Sequence, residues 1–144
     1  MKADKNTLMK EIAFALQMYS DNVSYYLKLD TFEIAFSVDP CFDNDPDIQM
    51  KNKEIEKTPE NYLKIEPFKS FDAFSLMEKF ADSVEDNRLQ SKLYKAFSAR
   101  KPFENFKTIL NYHPEYREKW YKFKDEFYAK AANEWLKKHE LSFE

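Results

Sequence analysis

The sequence predicts an α+β fold: a small antiparallel sheet in the N-terminal part, packed against about five helices, with a C-terminal half that is all helical. Three observations carry this. Two β-rich runs, VSYYLKL (23–29) and FEIAFSV (32–38), flank a short polar turn at Asp30 and Thr31. A third short run, YLKIEP (62–67), reads as an extended segment that Pro67 ends. After Ser70 the apolar residues recur at helical spacing.

Each element has its own signal. In residues 6–19, Leu8, Ile12, Leu16 and Tyr19 fall on one helical face, and Asn6 or Thr7 is a suitable cap. The two β runs form a hairpin, with Phe32, Ile34 and Phe36 on one side of the second strand and Glu33, Ala35 and Ser37 on the other. Residues 39–60 hold three prolines, seven acids and three lysines. They read as an acidic loop in which at most a short helix forms. Ser70 is a plausible cap for a helix with Ala73, Phe74, Met77, Phe80, Ala81 and Val84 on its apolar stripe. Asp86 or Asn87 restarts a helix through Leu89, Leu93, Ala96 and Phe97. Pro102 opens another with Phe103, Phe106, Ile109 and Leu110, and Pro114 opens the last, which runs to about His139. A chain of 144 residues is expected to form a single domain, 1–144.

Composition narrows the chemistry. The chain has no glycine, so phosphate-cradling loops and dinucleotide fingerprints cannot take their usual form, nor can a hydrolase nucleophile elbow. The single cysteine, Cys41, cannot form an internal disulfide or a Cys-rich zinc site, and a lone thiol fits a reducing cytoplasm. The short run IAFALQMY is too amphipathic for a signal peptide, and no stretch reaches the ~20 apolar residues of a membrane span. The expectation is a soluble cytoplasmic protein. Its net charge of −3 divides unevenly: residues 1–86 carry 10 basic and 18 acidic side chains, a balance of −8, and residues 87–144 carry 13 and 8, a balance of +5.

Aromatic residues make up 17% of the chain, including 14 Phe and 9 Tyr, more than a small core requires. The last helix concentrates them in KWYKFKDEFYAKAANEWL (119–136). Tyr116, Trp120, Phe123, Phe127, Ala131 and Trp135 fall on one stripe, expected to be the core face. Next to it, Arg117, Tyr121, Lys124 and Tyr128 interleave cations with tyrosines, a pattern that can stack bases and neutralise phosphates. Half-buried tyrosines beneath basic stems produce the same pattern and are the leading expectation. Arg100 and Lys101 precede a helix N-terminus that favours an anion, and Lys107 follows on that helix. With Lys119 and Lys122, these positions make up the candidate binding surface.

Other constellations carry less. His113 and His139 stand far apart with no second or third metal ligand near them. Position favours a protonated His139 at its helix C-terminus. Glu78, Asp82 and Glu85 share a helix face and read as solvated. Asp43, Asp45 and Asp47 resemble the start of a calcium loop whose glycine and final glutamate are missing. Cys41 has no neighbouring cation in sequence to activate it. No catalytic residue, metal or cofactor is assigned.

The order MYSDNVSYYLKLDTFEI, NYLKIEP, SFDAFSLMEKFADSV, KPFENFKTIL and KWYKFKDEFYAKAANEWL resembles Uncharacterised Protein Family 0158, a set of small bacterial proteins, over residues 8 to 136. The family tends to carry glycine where this chain has Phe32, and again where it has Lys101 and Pro102. The resemblance implies a bacterial, cytoplasmic α+β protein and brings no catalytic residues with it. The leading expectation is a non-enzymatic protein-interaction or regulatory module that binds another protein or itself. The alternative is a nucleic-acid-binding accessory protein using the candidate surface. The overall pI of about 5.6 weighs against that alternative. An enzyme whose site is assembled from distant residues ranks last.

Overall fold

A computed structural model describes residues 4–141, apart from the side chains of Ser70 and Phe71. Six helices and three strands follow in the order α1 (Lys5–Gln17), β1 (Val23–Lys28), β2 (Glu33–Val38), α2 (Pro46–Lys57), β3 (Tyr62–Ile65), α3 (Ser70–Asp82), α4 (Asn87–Phe97), α5 (Pro102–Asn111) and α6 (Pro114–Lys138). The fold is α+β, as the sequence predicts. The chain divides into two compact units. The first takes the residues up to Phe68 and those from Tyr128 on, and the second is Lys69–Phe127. α6 contributes to both.

In the first unit the strands lie in the order β2-β1-β3, both pairs antiparallel. The register sets Leu27 opposite Ile34 and Leu63, and Tyr25 opposite Phe36 and Ile65. Alternation therefore gathers the apolar residues on one face, where Leu27 and Ile65 are fully buried. α1 lies beside the sheet and buries Leu8, Ile12, Ala15 and Leu16. Its cap is Asp4, two residues before Asn6 and three before Thr7: the carboxylate accepts from the Thr7 N–H at 2.8 Å. The hairpin turn closes through the Phe32 N–H, which donates to the Lys28 carbonyl at 2.8 Å. Phe32 has φ 56°, the left-handed region that glycine favours.

The acidic segment is more ordered than its composition suggests. Asp45 caps α2 and Pro46 starts it, so the helix runs for 12 residues. Only Asn52 and Ile55 are buried along it. Asn52 anchors the helix to the sheet edge: the Val38 N–H donates to its Oδ1 at 3.1 Å, and its Nδ2 donates to the Val38 carbonyl at 2.7 Å. One side-chain amide thus does for Val38 what a further strand does, satisfying a buried donor and acceptor together.

The second unit is an aromatic helical core. Phe106 is fully buried. Its ring meets Trp120 at 5.0 Å, Phe97 at 5.9 Å and Phe80 at 6.4 Å between centroids. Phe74 joins the cluster through Phe97 and Phe103. Helix starts are marked as the sequence suggests at Asp86, Pro102 and Pro114. α3 differs: the cap position is Lys69, not Ser70, and the Asp72 carboxylate accepts from the Lys69 N–H at 3.2 Å.

Candidate interaction surfaces

The aromatic-basic line on α6 does not form one exposed face. Tyr128 is 5% exposed and its ring packs on Phe68 at 5.7 Å, within the first unit. It belongs to a core and is no part of a surface. Tyr121 is 44% exposed, with the Lys124 ammonium 5.5 Å from its ring centre. That is a cation lying over its own neighbour. Arg117 is half-buried, and its Nε is buried without a hydrogen-bond partner among the described residues.

Lys119 and Lys122 lie elsewhere on the helix. At about 100° per residue they stand about 100° and 160° from Trp120, on the side away from Tyr121. Lys119 pairs with Glu115 at 3.6 Å and covers the Tyr116 ring at 4.9 Å. The same solvent arc carries Glu118, Asp125 and Glu126. Acids outnumber bases there, which removes the electrostatic reason for a polyanion to settle on this part of α6.

The expected core stripe of α6 also differs. Trp120 is buried, but Tyr116, Phe123, Phe127, Ala131 and Trp135 are only half-buried. Beyond Phe127 the buried residues are Tyr128, Ala132 and Leu136, which lie on a different arc from Trp120. Each half of α6 covers the core of its own unit.

Arg100, Lys101 and Lys107 are all exposed, and Lys101 forms an ion pair with Glu104 at 3.7 Å. Phe103, expected in the core, is 37% exposed at the first turn of α5. A further basic line lies on α4. Arg88, Lys92 and Lys95 recur at i, i+4 and i+7, are exposed, and make no ion pair among the described residues. This line contains no aromatic, so a search keyed to cations beside rings passes over it. Its spacing is nonetheless plain in the sequence.

Two features of the first unit complete the survey. Large apolar side chains stand exposed at the end of α1: Phe14 at 55%, Met18 at 42% and Tyr19 at 49%. An open polar cleft of about 380 Å³ lies where α2 crosses the sheet, with Asp21, Tyr26, Ser37, Gln49, Lys53 and Glu56 at its walls. Asp21, Lys53 and Glu56 there are exposed to solvent. Among the described residues no group of three His, Cys, Asp or Glu side chains is placed to hold a metal ion. No helix among them is long and apolar enough to cross a membrane.

The shifted titrations follow local contacts. The Tyr94 hydroxyl donates to Asp82 at 2.6 Å, and this bond to a carboxylate raises the phenol above its usual pKa. His139 moves the other way. Its ring lies 4.3 Å from that of Trp135, and burial, with Lys138 adding to it, lowers the imidazole below its usual 6.5. The helix dipole favours the cation, and burial acts against it. The unfolded chain therefore takes up the His139 proton first as pH falls, so the folded state loses stability as pH drops below about 6.5. Urea titrations across that range are expected to show the loss, and His139→Gln to flatten it. An unchanged slope in the variant would remove His139 from this account.

A family model described as "Uncharacterised protein family (UPF0158)" matches residues 1–144. A similar protein is "UPF0158 protein PA5073" of Pseudomonas aeruginosa, 29% identical over 131 residues, which cover 91% of this chain and 81% of the relative. No solved structure matches. With the whole chain matched by the family model, this protein belongs to family UPF0158.

Proposed function

We propose that this chain is a non-catalytic cytoplasmic interaction module, and that the end of α1 is where it meets a protein partner. One observation carries the reading. Phe14 stands in the last turn of α1, Met18 is its C-cap and Tyr19 follows directly, and all three are about half exposed. Single exposed apolar residues are ordinary, but neighbouring large ones form the kind of patch that marks a contact surface. Aromatic and methionine side chains are also enriched at interfaces. The buried side of α1, with Leu8, Ile12, Ala15 and Leu16, already supplies its share of the core. Phe14 and Met18 are thus surplus to folding. The exposed Cys41 thiol suits a reducing compartment.

A Phe14→Ser, Met18→Ser double variant tests this. Substitutions at such exposed positions leave stability within about 0.5 kcal/mol. The control is Tyr112→Ser, which changes a side chain that is 80% exposed on the α5–α6 turn. Quantitative cross-linking of the tagged chain in its host, with sedimentation velocity for self-association, should show one complex retained by wild type and control. The double variant should lose it at least tenfold. Equal retention by all three proteins, or no complex of either kind, would overturn the reading.

A further inference from the structure

We propose a second contact surface, on α4 and the turn that follows it, that docks the phosphate backbone of a nucleic acid. It goes beyond the protein-interaction reading and rests on different residues, all within the second unit.

α4 is the most one-signed helix of the chain. Residues 87–103 contain Arg88, Lys92, Lys95, Arg100 and Lys101 and not one acid. Buried Leu89, Leu93 and Ala96 define the inner side of α4. Taking about 100° per residue, Arg88, Lys92 and Lys95 fall within about 60° of arc on one flank, and they span about 10 Å along the axis. Holding three like charges at i, i+4 and i+7 costs a few tenths of a kcal/mol per pair. None of the three makes an ion pair with a carboxylate among the described residues. An anion from outside relieves that repulsion.

The chemistry of the face selects the kind of anion. The flank holds no apolar side chain between its cations, whereas the central part of a protein interface is depleted in lysine and built on apolar anchors. A phosphodiester chain needs no such anchor, because release of condensed counterions supplies its binding free energy. The turn after α4 extends the match. Arg100 and Lys101 are exposed and lead into the first turn of α5, where Phe103 is 37% exposed. An aromatic edge beside a run of cations gives a base somewhere to stack while its phosphates are neutralised. The acidic pI does not remove the match. At physiological salt the Debye length is about 8 Å, so the charges that act on a docked phosphate are those beside it. The second unit carries 12 basic and 10 acidic residues; the first carries 11 and 16.

Fluorescence anisotropy of the full chain with a labelled single-stranded RNA and a labelled DNA duplex, at about 50 and about 200 mM salt, tests the proposal. Binding is expected at the lower salt, with a log–log salt slope of about −3.5 for the single strand and about −4.5 for the duplex if all five cations meet phosphates. Arg88→Gln, Lys92→Gln, Lys95→Gln together should weaken it at least tenfold and reduce the slope by about 2 to 3. Arg100→Gln, Lys101→Gln should do the same more weakly. Lys119→Gln, Lys122→Gln on α6 should change affinity less than about twofold. Circular dichroism of each variant confirms that the helices remain. No binding at low salt, or no effect of the α4 variant, would overturn the proposal. So would displacement by poly-glutamate as effective as by unlabelled RNA, since that identifies a general acidic partner. The contrast between RNA and duplex DNA identifies the source of the phosphates. The Phe14→Ser, Met18→Ser protein should bind nucleic acid as wild type does, which separates this test from that of the α1 patch.

Discussion

Phe106→Ala is expected to lower the unfolding free energy by about 4 kcal/mol, the largest effect of any single truncation in the second unit. The ring is fully buried and touches three other aromatic rings. Its removal loses the transfer free energy of a phenyl group and leaves a cavity. Phe80, Phe97 and Trp120 are flat, rigid side chains held on three different helices, so they close little of that space. Phe106→Leu keeps much of the volume and should cost about 1–2 kcal/mol. Urea unfolding followed by near-UV circular dichroism, which reports aromatic packing, gives both values. A loss below about 1 kcal/mol for the alanine variant would mean that the cluster is not close-packed.

Phe32 gives the second large effect, and there the ordering of variants matters more than their size. The residue holds φ 56°, which costs a residue with a Cβ about 1–2 kcal/mol. Its ring is 3% exposed, and burial of a Phe side chain contributes more than that strain removes. Phe32→Ala keeps the strain and loses the ring, so a loss of about 3 kcal/mol is expected. Phe32→Gly loses the ring but also sheds the strain, so it should be about 1 kcal/mol more stable than the alanine variant. Thermal and urea denaturation of the pair settle it. Equal stability of the two variants would show that position 32 does not hold the left-handed conformation in solution. At this position the chain accepts local strain in return for a core ring.

Several elements were legible because their signals are local. The hairpin follows from alternation over six-residue strands, and its register from the hairpin turn between them. The starts of α4, α5 and α6 follow from an Asp cap and two prolines, which act within one helical turn. The α4 cations were equally readable, since their spacing involves no other part of the chain. α2 was harder to read. Its two buried residues give almost no apolar period, and the bonds that hold Asn52 to Val38 join positions 14 apart.

The chain by itself determined that the fold is α+β, where most helices begin, and which cations lie together on α4. These depend on backbone geometry and on neighbours within a turn or two. Which arc of α6 is covered was decided by tertiary structure. Helical periodicity fixes the angle between Tyr121, Lys124 and Tyr128, but not which of them meets another segment. Phe68 covers Tyr128, a partner 60 residues away along the chain, while Tyr121 keeps to the solvent. A 25-residue helix that serves two cores has no single apolar stripe to read, because each core selects its own arc.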